Sequence, residues 1–138
     1  MELKYKIQGG NFNRAGYASS EVKKVLKQLN VDPKIIKRIV VALYEGEVNI
    51  VAHAFNGIAT VTIDAEKIKI VLKDSGPGIP DVDKAMELGF TTASPAVREM
   101  GFGAGMGLPN MKKNSDFMEI LSTVNVGTEV VLMNYFSK

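Results

Sequence analysis

The sequence predicts an α+β fold, a two-layer sandwich with helices on one face of a mixed, largely antiparallel sheet. Three observations predict it. Two neighbouring segments, between about residues 14 and 55, repeat their apolar residues at the helical period. Two pairs of short strand-like runs come after them, each pair joined by a few residues of hairpin character. Helices set apart from hairpin-joined strands are the pattern of helices packed on one side of a sheet.

Met1 to Gln8 alternates Leu3, Tyr5 and Ile7 with Glu2, Lys4 and Lys6, as a half-buried strand at a sheet edge does. Gly9-Gly10-Asn11 breaks it. A helix is expected from about Arg14 to Leu29, through Ala18, Val22, Val25 and Leu26, with Asn30 as its stop. Asp32-Pro33 reads as a cap followed by a proline in the first turn of a second helix, from about Pro33 to Phe55. Ile36, Ile39, Val40, Leu43, Ile50, Val51 and Ala54 form its apolar arc, and Arg38, Glu45, Asn49 and His53 fall elsewhere. Asn56-Gly57 ends that helix or turns the chain. Strands over Ile58–Ile63 and Lys67–Lys73 flank a loop at Asp64-Ala65-Glu66. A short helix fits Asp81 to Leu88. Residues 89–102 show no period and are long enough to suggest a lid. A helix opens at Leu108 with Pro109 in its first turn, and strands over Met118–Val124 and Thr128–Phe136 meet at Asn125-Val126-Gly127.

At 138 residues the chain has the size of one ordinary domain, and residues 1–138 are read as one. A composition of 46 % hydrophobic and 23 % charged residues is that of a soluble globular protein. The net charge of +2 is too small to argue for nucleic acid. Without cysteine there is no disulfide framework and no thiolate metal site. No apolar run approaches the roughly 20 residues of a membrane span, and the first ten residues lack an apolar signal core. A cytoplasmic protein is expected, with neither nucleic acid nor membrane as a partner.

Three clusters carry chemistry. Glu45 and Asn49, one helical turn apart, project from one face, and His53 adds a third polar group a turn further on. An isolated pair of this kind is most often a solvated face. On an otherwise apolar helix it faces a pocket, where a carboxylate accepts a proton and an amide oxygen ligates a hard cation. Asp74-Ser-Gly-Pro-Gly-Ile79 follows a strand. Its glycines allow close backbone approach to a ligand and Asp74 can accept from an exocyclic amine, although a glycine-rich turn is usually only a turn. Gly101-Phe-Gly-Ala-Gly-Met-Gly-Leu108 precedes a helix, so it reads either as a flexible loop or as a phosphate cradle. It is neither a Walker loop nor a Rossmann fingerprint.

In order along the chain, the three clusters resemble the boxes of the GHKL ATPase superfamily. Glu45-x-x-x-Asn49 looks like its N box, Asp74-x-Gly76-x-Gly78-Ile79 like its G1 box and Gly103-x-Gly105-x-Gly107-Leu108 like its G2 box. Gly127-Thr128 resembles the terminal Gly-Thr that supports the adenine site. The likeness covers nearly the whole chain. It is closest to the small bacterial anti-sigma-factor and switch-protein serine kinases, through Asp74 to Met111 with Gly89-Phe90-Thr91-Thr92. A sensor histidine kinase would need a helical hairpin bearing a phosphoacceptor histidine, and the only histidine is His53, inside the N box.

The resemblance implies a histidine-kinase-like ATPase domain of Bergerat-type fold that holds ATP and Mg²⁺. Asn49 would ligate the metal, and Glu45 would be the general base. Asp74 would bind the adenine amino group, with Gly76, Gly78 and Ile79 giving backbone access and Thr128 assisting through water. The backbone of Gly103, Ala104, Gly105, Met106 and Gly107, with the helix opening at Leu108, would cradle the phosphates. His53, Thr91 and Thr92 would lie near the nucleotide, and Arg98 would reach the γ-phosphate or a partner. Two features depart from the pattern. Glu47 stands in the apolar arc, which calls for a lysine or arginine partner, a pocket or a partner surface. The glycine run from Gly101 is longer than the box requires. The activity implied is phosphorylation of a serine or threonine on a STAS-domain, anti-anti-sigma-type partner. The alternative is an anti-sigma factor or nucleotide-dependent partner switch without significant kinase activity, holding a sigma factor. An ATP-binding subunit split from a larger sensor is a third reading. A homodimer is a further expectation by analogy.

Overall fold

The computed structural model describes residues 1–86 and 107–137. Strand β1 is Glu2–Gln8, followed by a 3-10 turn at Phe12–Arg14, helix α1 at Tyr17–Gln28 and helix α2 at Pro33–His53. Strands β2 (Asn56–Ile63) and β3 (Lys67–Ser75), the short helix α3 (Val82–Ala85), helix α4 (Gly107–Lys113) and strands β4 (Phe117–Thr123) and β5 (Gly127–Tyr135) are the other elements among the described residues.

The five strands form one sheet in the order β1-β2-β3-β5-β4, with β1 at an edge as its lysine-rich outer face predicts. Every pairing is antiparallel, so the sheet is not mixed. The reason is the last hairpin: β3 and β4 run the same way, but β5 inserts between them and pairs antiparallel to both. Alternate residues such as Ala59, Val61, Ile70, Leu72 and Leu132 point to one face and join Val22 and Leu26 of α1, Ile39 and Leu43 of α2 and Met111 of α4 in a single apolar cluster. The helices therefore cover one face, as the α+β reading expects.

Helix α2 lies centrally in that layer, between α1 and α4. Asp32 caps it by accepting from the Lys34 amide at 2.8 Å. Gly46 sets how closely it seats: a Cβ there would collide with the Leu72 side chain and stand 3.1 Å from Met111 Cε. The helix ends at His53, two residues before the expected Phe55. Ala54 is already extended and the Phe55 amide donates to the Ser75 carbonyl at 2.9 Å. Asn56-Gly57 is consequently not a turn but the start of β2, paired with Ser75 and Asp74. Arg38 is drawn away from the other polar residues of α2 and pairs with Asp116 at 2.9 Å, just before β4. Among the described residues, no helix is long and apolar enough to cross a membrane.

The first helix corrects two expectations at once. It starts at Tyr17 rather than Arg14, because Gly16 takes a left-handed conformation (φ 95°) and interrupts the helical run. A glycine has no side chain with which to cap, so the first amides of α1 need a partner from elsewhere. Glu47 supplies it. Its two carboxylate oxygens accept from the Ala18 amide at 3.0 Å and the Ser19 amide at 3.2 Å, and the residue is 2 % exposed. Among the described residues, the partner of this buried carboxylate is thus the N-terminus of α1, not a lysine or arginine. Glu47 also borders a cleft of about 570 Å³ beside β1 and the 3-10 turn, rimmed by Lys6 and Arg14. Glu47→Ala is expected to destabilise the fold by about 3 kcal/mol, since two buried amides lose a charged acceptor. Glu47→Gln, with one acceptor oxygen in place of two, should lose less. Urea unfolding reads both from the midpoint at constant slope. An alanine variant as stable as the parent would remove the capping account.

Candidate functional site

The site grows from the side of α2 opposite Glu47. Two residues along a helix is more than half a turn, so Glu45 and Glu47 face different ways, whereas Glu45 and Asn49 share a side. Both are half-buried. The start of α4 stands directly against them. A Cβ on Gly107 would lie 3.5 Å from Glu45 Oε2 and 3.5 Å from Asn49 Oδ1, so these two oxygens are no more than 7 Å apart. Asn110, one turn into α4, hydrogen-bonds the Glu45 side chain. Burial raises the Glu45 carboxyl above its ordinary value, and the Asn110 contact offsets this in part.

A second group of residues forms at the end of β3. Asp74 is half-buried, and its Oδ1 accepts from the Thr128 amide at 3.1 Å. Burial raises its carboxyl too, against the lowering effect of that hydrogen bond. The loop that follows is laced to the β4–β5 hairpin. The Gly76 amide donates to the Val126 carbonyl at 3.2 Å, and the Asn125 amide donates to the Pro77 carbonyl at 2.8 Å. Gly78 has φ 76°, and a Cβ there would strike the Thr123 carbonyl oxygen. The Ile79 amide donates to Ser122 Oγ at 2.7 Å, and Ser122 Oγ is 2.8 Å from Thr128 Oγ1.

Helix α2 joins the two groups. Gly107 adjoins Glu45 and Asn49, while Gly76 packs on Ala54, its prospective Cβ 3.0 Å from the Ala54 Cα. From Glu45 to the helix end at His53 the chain advances about 12 Å. An elongated ligand along this side would meet a carboxylate, an amide oxygen and a helix start at one end, and the Asp74–Thr128 pair at the other. His53 lies on the same side, a turn beyond Asn49, and burial lowers its pKa from the ordinary imidazole value. Leu108 is buried in the core, so its side chain anchors α4 and only its backbone can serve the site.

The residues expected at 45, 49, 74, 76, 78, 79, 107 and 128 are thus gathered around one side of α2 and the adjoining sheet end. Thr91, Thr92, Arg98, Gly103, Ala104, Gly105 and Met106 lie outside the described residues. Sequence reasoning missed Asn110 and Ser122. Asn110 carries no local signal. Ser122 could have been noticed as a polar residue at an inward position of a strand whose other inward residues, Met118 and Ile120, pack on the core.

The donor set fits magnesium bound together with phosphates. Among the described residues, no group of three or more histidine, cysteine, aspartate or glutamate side chains could hold a metal alone. Magnesium takes one or two protein oxygens, phosphate oxygens and water. Asn49 Oδ1, beside Glu45 and the α4 start, offers such an oxygen.

Comparisons with known proteins bear on the family and the fold. The profile described as histidine kinase-like ATPase domain matches residues 13–133. The chain is 35 % identical over 143 residues to an anti-sigma F factor of Caldanaerobacter subterraneus, covering 100 % of this chain and 94 % of that protein. It is 34 % identical over 110 residues to the serine/threonine-protein kinase RsbT of Bacillus subtilis, covering 77 % of each. Among solved structures, the RsbU and RsbW domains of a Mycobacterium tuberculosis protein align with TM-score 0.67 at 15 % identity, over 100 % of this chain and 33 % of that one. The mycobacterial sensor histidine kinase MprB aligns with TM-score 0.56 at 16 % identity, over 98 % and 97 %. At such identities the two structures speak for the fold alone.

Proposed function

The chain belongs to the histidine kinase-like ATPase family, and from that premise we propose that it binds Mg-ATP along α2 and passes the γ-phosphate to a serine or threonine of a small STAS-domain partner. One observation carries the reading: the Glu45–Asn49 pair is abutted by the start of α4, and the Asp74–Thr128 pair adjoins the glycine loop that packs on the C-terminal end of the same helix.

Each residue then has a task. Asp74 accepts from the adenine amino group, and the close-packed Gly76–Gly78 backbone shapes the wall beside it. Asn49 Oδ1 would hold magnesium, which when bound would supply neutralisation of phosphate charge. The α4 start at Gly107 faces the phosphates, and by the family resemblance the glycine run before it would complete the cradle. By the family resemblance alone, Thr91 and Thr92 would line the nucleotide and Arg98 would reach the γ-phosphate or the partner. Glu45 takes the proton from the attacking hydroxyl as the new P–O bond forms and the bond to the ADP oxygen breaks. Its raised pKa makes it a stronger base than an exposed carboxylate. Among the described residues Glu45 and Asp74 are the two carboxylates that burial shifts upward, and they stand at the two ends of the proposed ligand.

A second reading is supported by the names of the relatives, several of which are called anti-sigma F factor. In it, nucleotide chiefly controls which partner is held, a sigma factor or a STAS protein. Incubating the chain with ATP, magnesium and a STAS-domain protein of the same genome separates the two readings by intact mass. One added phosphate on the partner is expected, and stable association without it would favour the switch.

The adenine end has its own test. Asp74→Asn replaces an acceptor by a group that can turn a donor toward the amine. ATP affinity is expected to fall about a hundredfold, by roughly 3 kcal/mol, measured by calorimetry. Unchanged affinity would move the base away from Asp74.

A further inference from the structure

Helix α4 carries an asparagine on the side it turns to α2. Gly107 stands against Glu45 and Asn49, and the fully buried Met111 packs against Gly46. Residues 107, 110 and 111 share one side of a helix, so Asn110 falls between these two contacts. Its side chain hydrogen-bonds the Glu45 carboxylate. A carboxylate only accepts, so the Asn110 amide N–H is the donor.

Seven residues make about two turns, too few for a helix to hold its own shape. Bonds at its far end hold α4 in place. The Asn110 carbonyl accepts from the Asn114 amide at 3.1 Å and from Asn114 Nδ2 at 2.9 Å. The Asn114 carbonyl accepts in turn from Asn134 Nδ2 at 2.9 Å, and Asn134 Oδ1 accepts from the Asp116 amide at 3.3 Å. Asn134 is 3 % exposed and shares the inward side of β5 with Val130 and Leu132. A side-chain amide in such a row is costly unless both its ends are bonded. Here both are, and to the chain that leaves α4. Asp116 completes the clamp, its carboxylate accepting from Arg38 of α2 at 2.9 Å and from the Tyr135 amide at 2.8 Å. A helix turns about 100° per residue, so a slip of one residue would carry Asn110 away from Glu45. The clamp opposes that slip.

We propose that Asn110 is a positioning residue for the general base: with α4 fixed by the asparagine clamp, the Asn110 amide holds the Glu45 carboxylate beside Asn49 and the start of α4, where the attacking hydroxyl would stand. The inference rests on the reading of Glu45 as that base. A glutamate side chain has several rotatable bonds, and a carboxylate turned elsewhere is lost to the reaction. A lysine at 110 would also hold it, but a cation favours the ionised form strongly and so weakens the base. A neutral donor orients the carboxylate and takes less of its basicity.

Kinetics of phosphate transfer from ATP to a STAS-domain protein of the same genome test it. Asn110→Leu, which keeps the volume and loses the donor, should lower kcat roughly tenfold and leave the KM for ATP within about twofold. Asn110→Gln, which keeps the amide, should recover most of the loss. In a Glu45→Gln background, where no base remains to be positioned, the leucine change should cost little more. Asn114→Ala cuts the clamp without touching Glu45, and should lower kcat about threefold in the wild type and no further in Asn110→Leu. Urea unfolding without nucleotide reads the contact itself. Asn110→Leu should lower the midpoint in the wild type and lower it less in Glu45→Ala. Wild-type kcat in Asn110→Leu, an equal loss with and without Glu45, or additive urea midpoints overturns the proposal while the ATP site stands. A wild type that transfers no phosphate, with the urea coupling present, overturns the reading of Glu45 as base and leaves the contact intact.

Discussion

Asn49→Ala is expected to remove the magnesium-dependent part of ATP binding. ATP with magnesium should bind the variant no more tightly than ATP in EDTA binds the wild type, a loss of about two orders of magnitude. The amide oxygen points to the start of α4, where a Gly107 Cβ would lie 3.5 Å from it, and Glu45 Oε2 is equally near that point. An aspartate here would put a second carboxylate beside Glu45 in a half-buried place facing phosphates. Like charges would then raise both pKa values and repel the ligand. An amide keeps the hard oxygen and avoids that repulsion, which is a physical reason for asparagine at this position. Calorimetry with and without EDTA decides. An alanine variant that still gains its full affinity from magnesium would take Asn49 out of the metal site.

The fold was legible where periodicity is strong. The alternation in β1, the caps at Asp32 and the stop at Asn30, which adopts φ 58°, are all local signals, and each is realised in the structure. What stayed illegible depends on contacts distant in sequence. That β5 would separate β3 from β4 is a matter of topology, not of local pattern. Glu47 looked misplaced in an apolar arc because its partners, the amides of Ala18 and Ser19, belong to another helix and carry no residue-type signature. In the site, the residues at 45, 49, 74 and 128 stood out in the sequence because their types and spacing match the boxes, and the structure brings them to one side of α2 and the adjoining sheet end. Asn110 did not, since it acts on Glu45 through a hydrogen bond that many residue types could make, and Ser122 offered only the faint signal of a polar residue at an inward strand position.

Glu45→Gln separates catalysis from binding most sharply. The glutamine keeps the size and the contact with Asn110 but cannot take a proton, so phosphoryl transfer is expected to fall about a thousandfold while ATP affinity changes little. The pH dependence carries the same assignment. A general base works only when ionised, and burial holds Glu45 above its ordinary 4.5. The acid limb of wild-type turnover should therefore lie above pH 4.5 and be absent from the residual activity of the variant. Stability runs the other way. A carboxyl whose folded pKa is raised favours the fold below its unfolded pKa, and that contribution is lost as pH rises through the folded value. Near neutral pH the wild type then carries the cost of a half-buried ionised carboxylate, and the neutral glutamine does not. Glu45→Gln should melt higher than the wild type at pH 7, with the gap closing as pH falls toward 4.5. A gain in stability paired with a loss of turnover is what a catalytic carboxylate produces when its surroundings are arranged for reaction rather than for folding. Turnover that survives in the glutamine variant would pass the role of base to another group, even if the stability gain were seen.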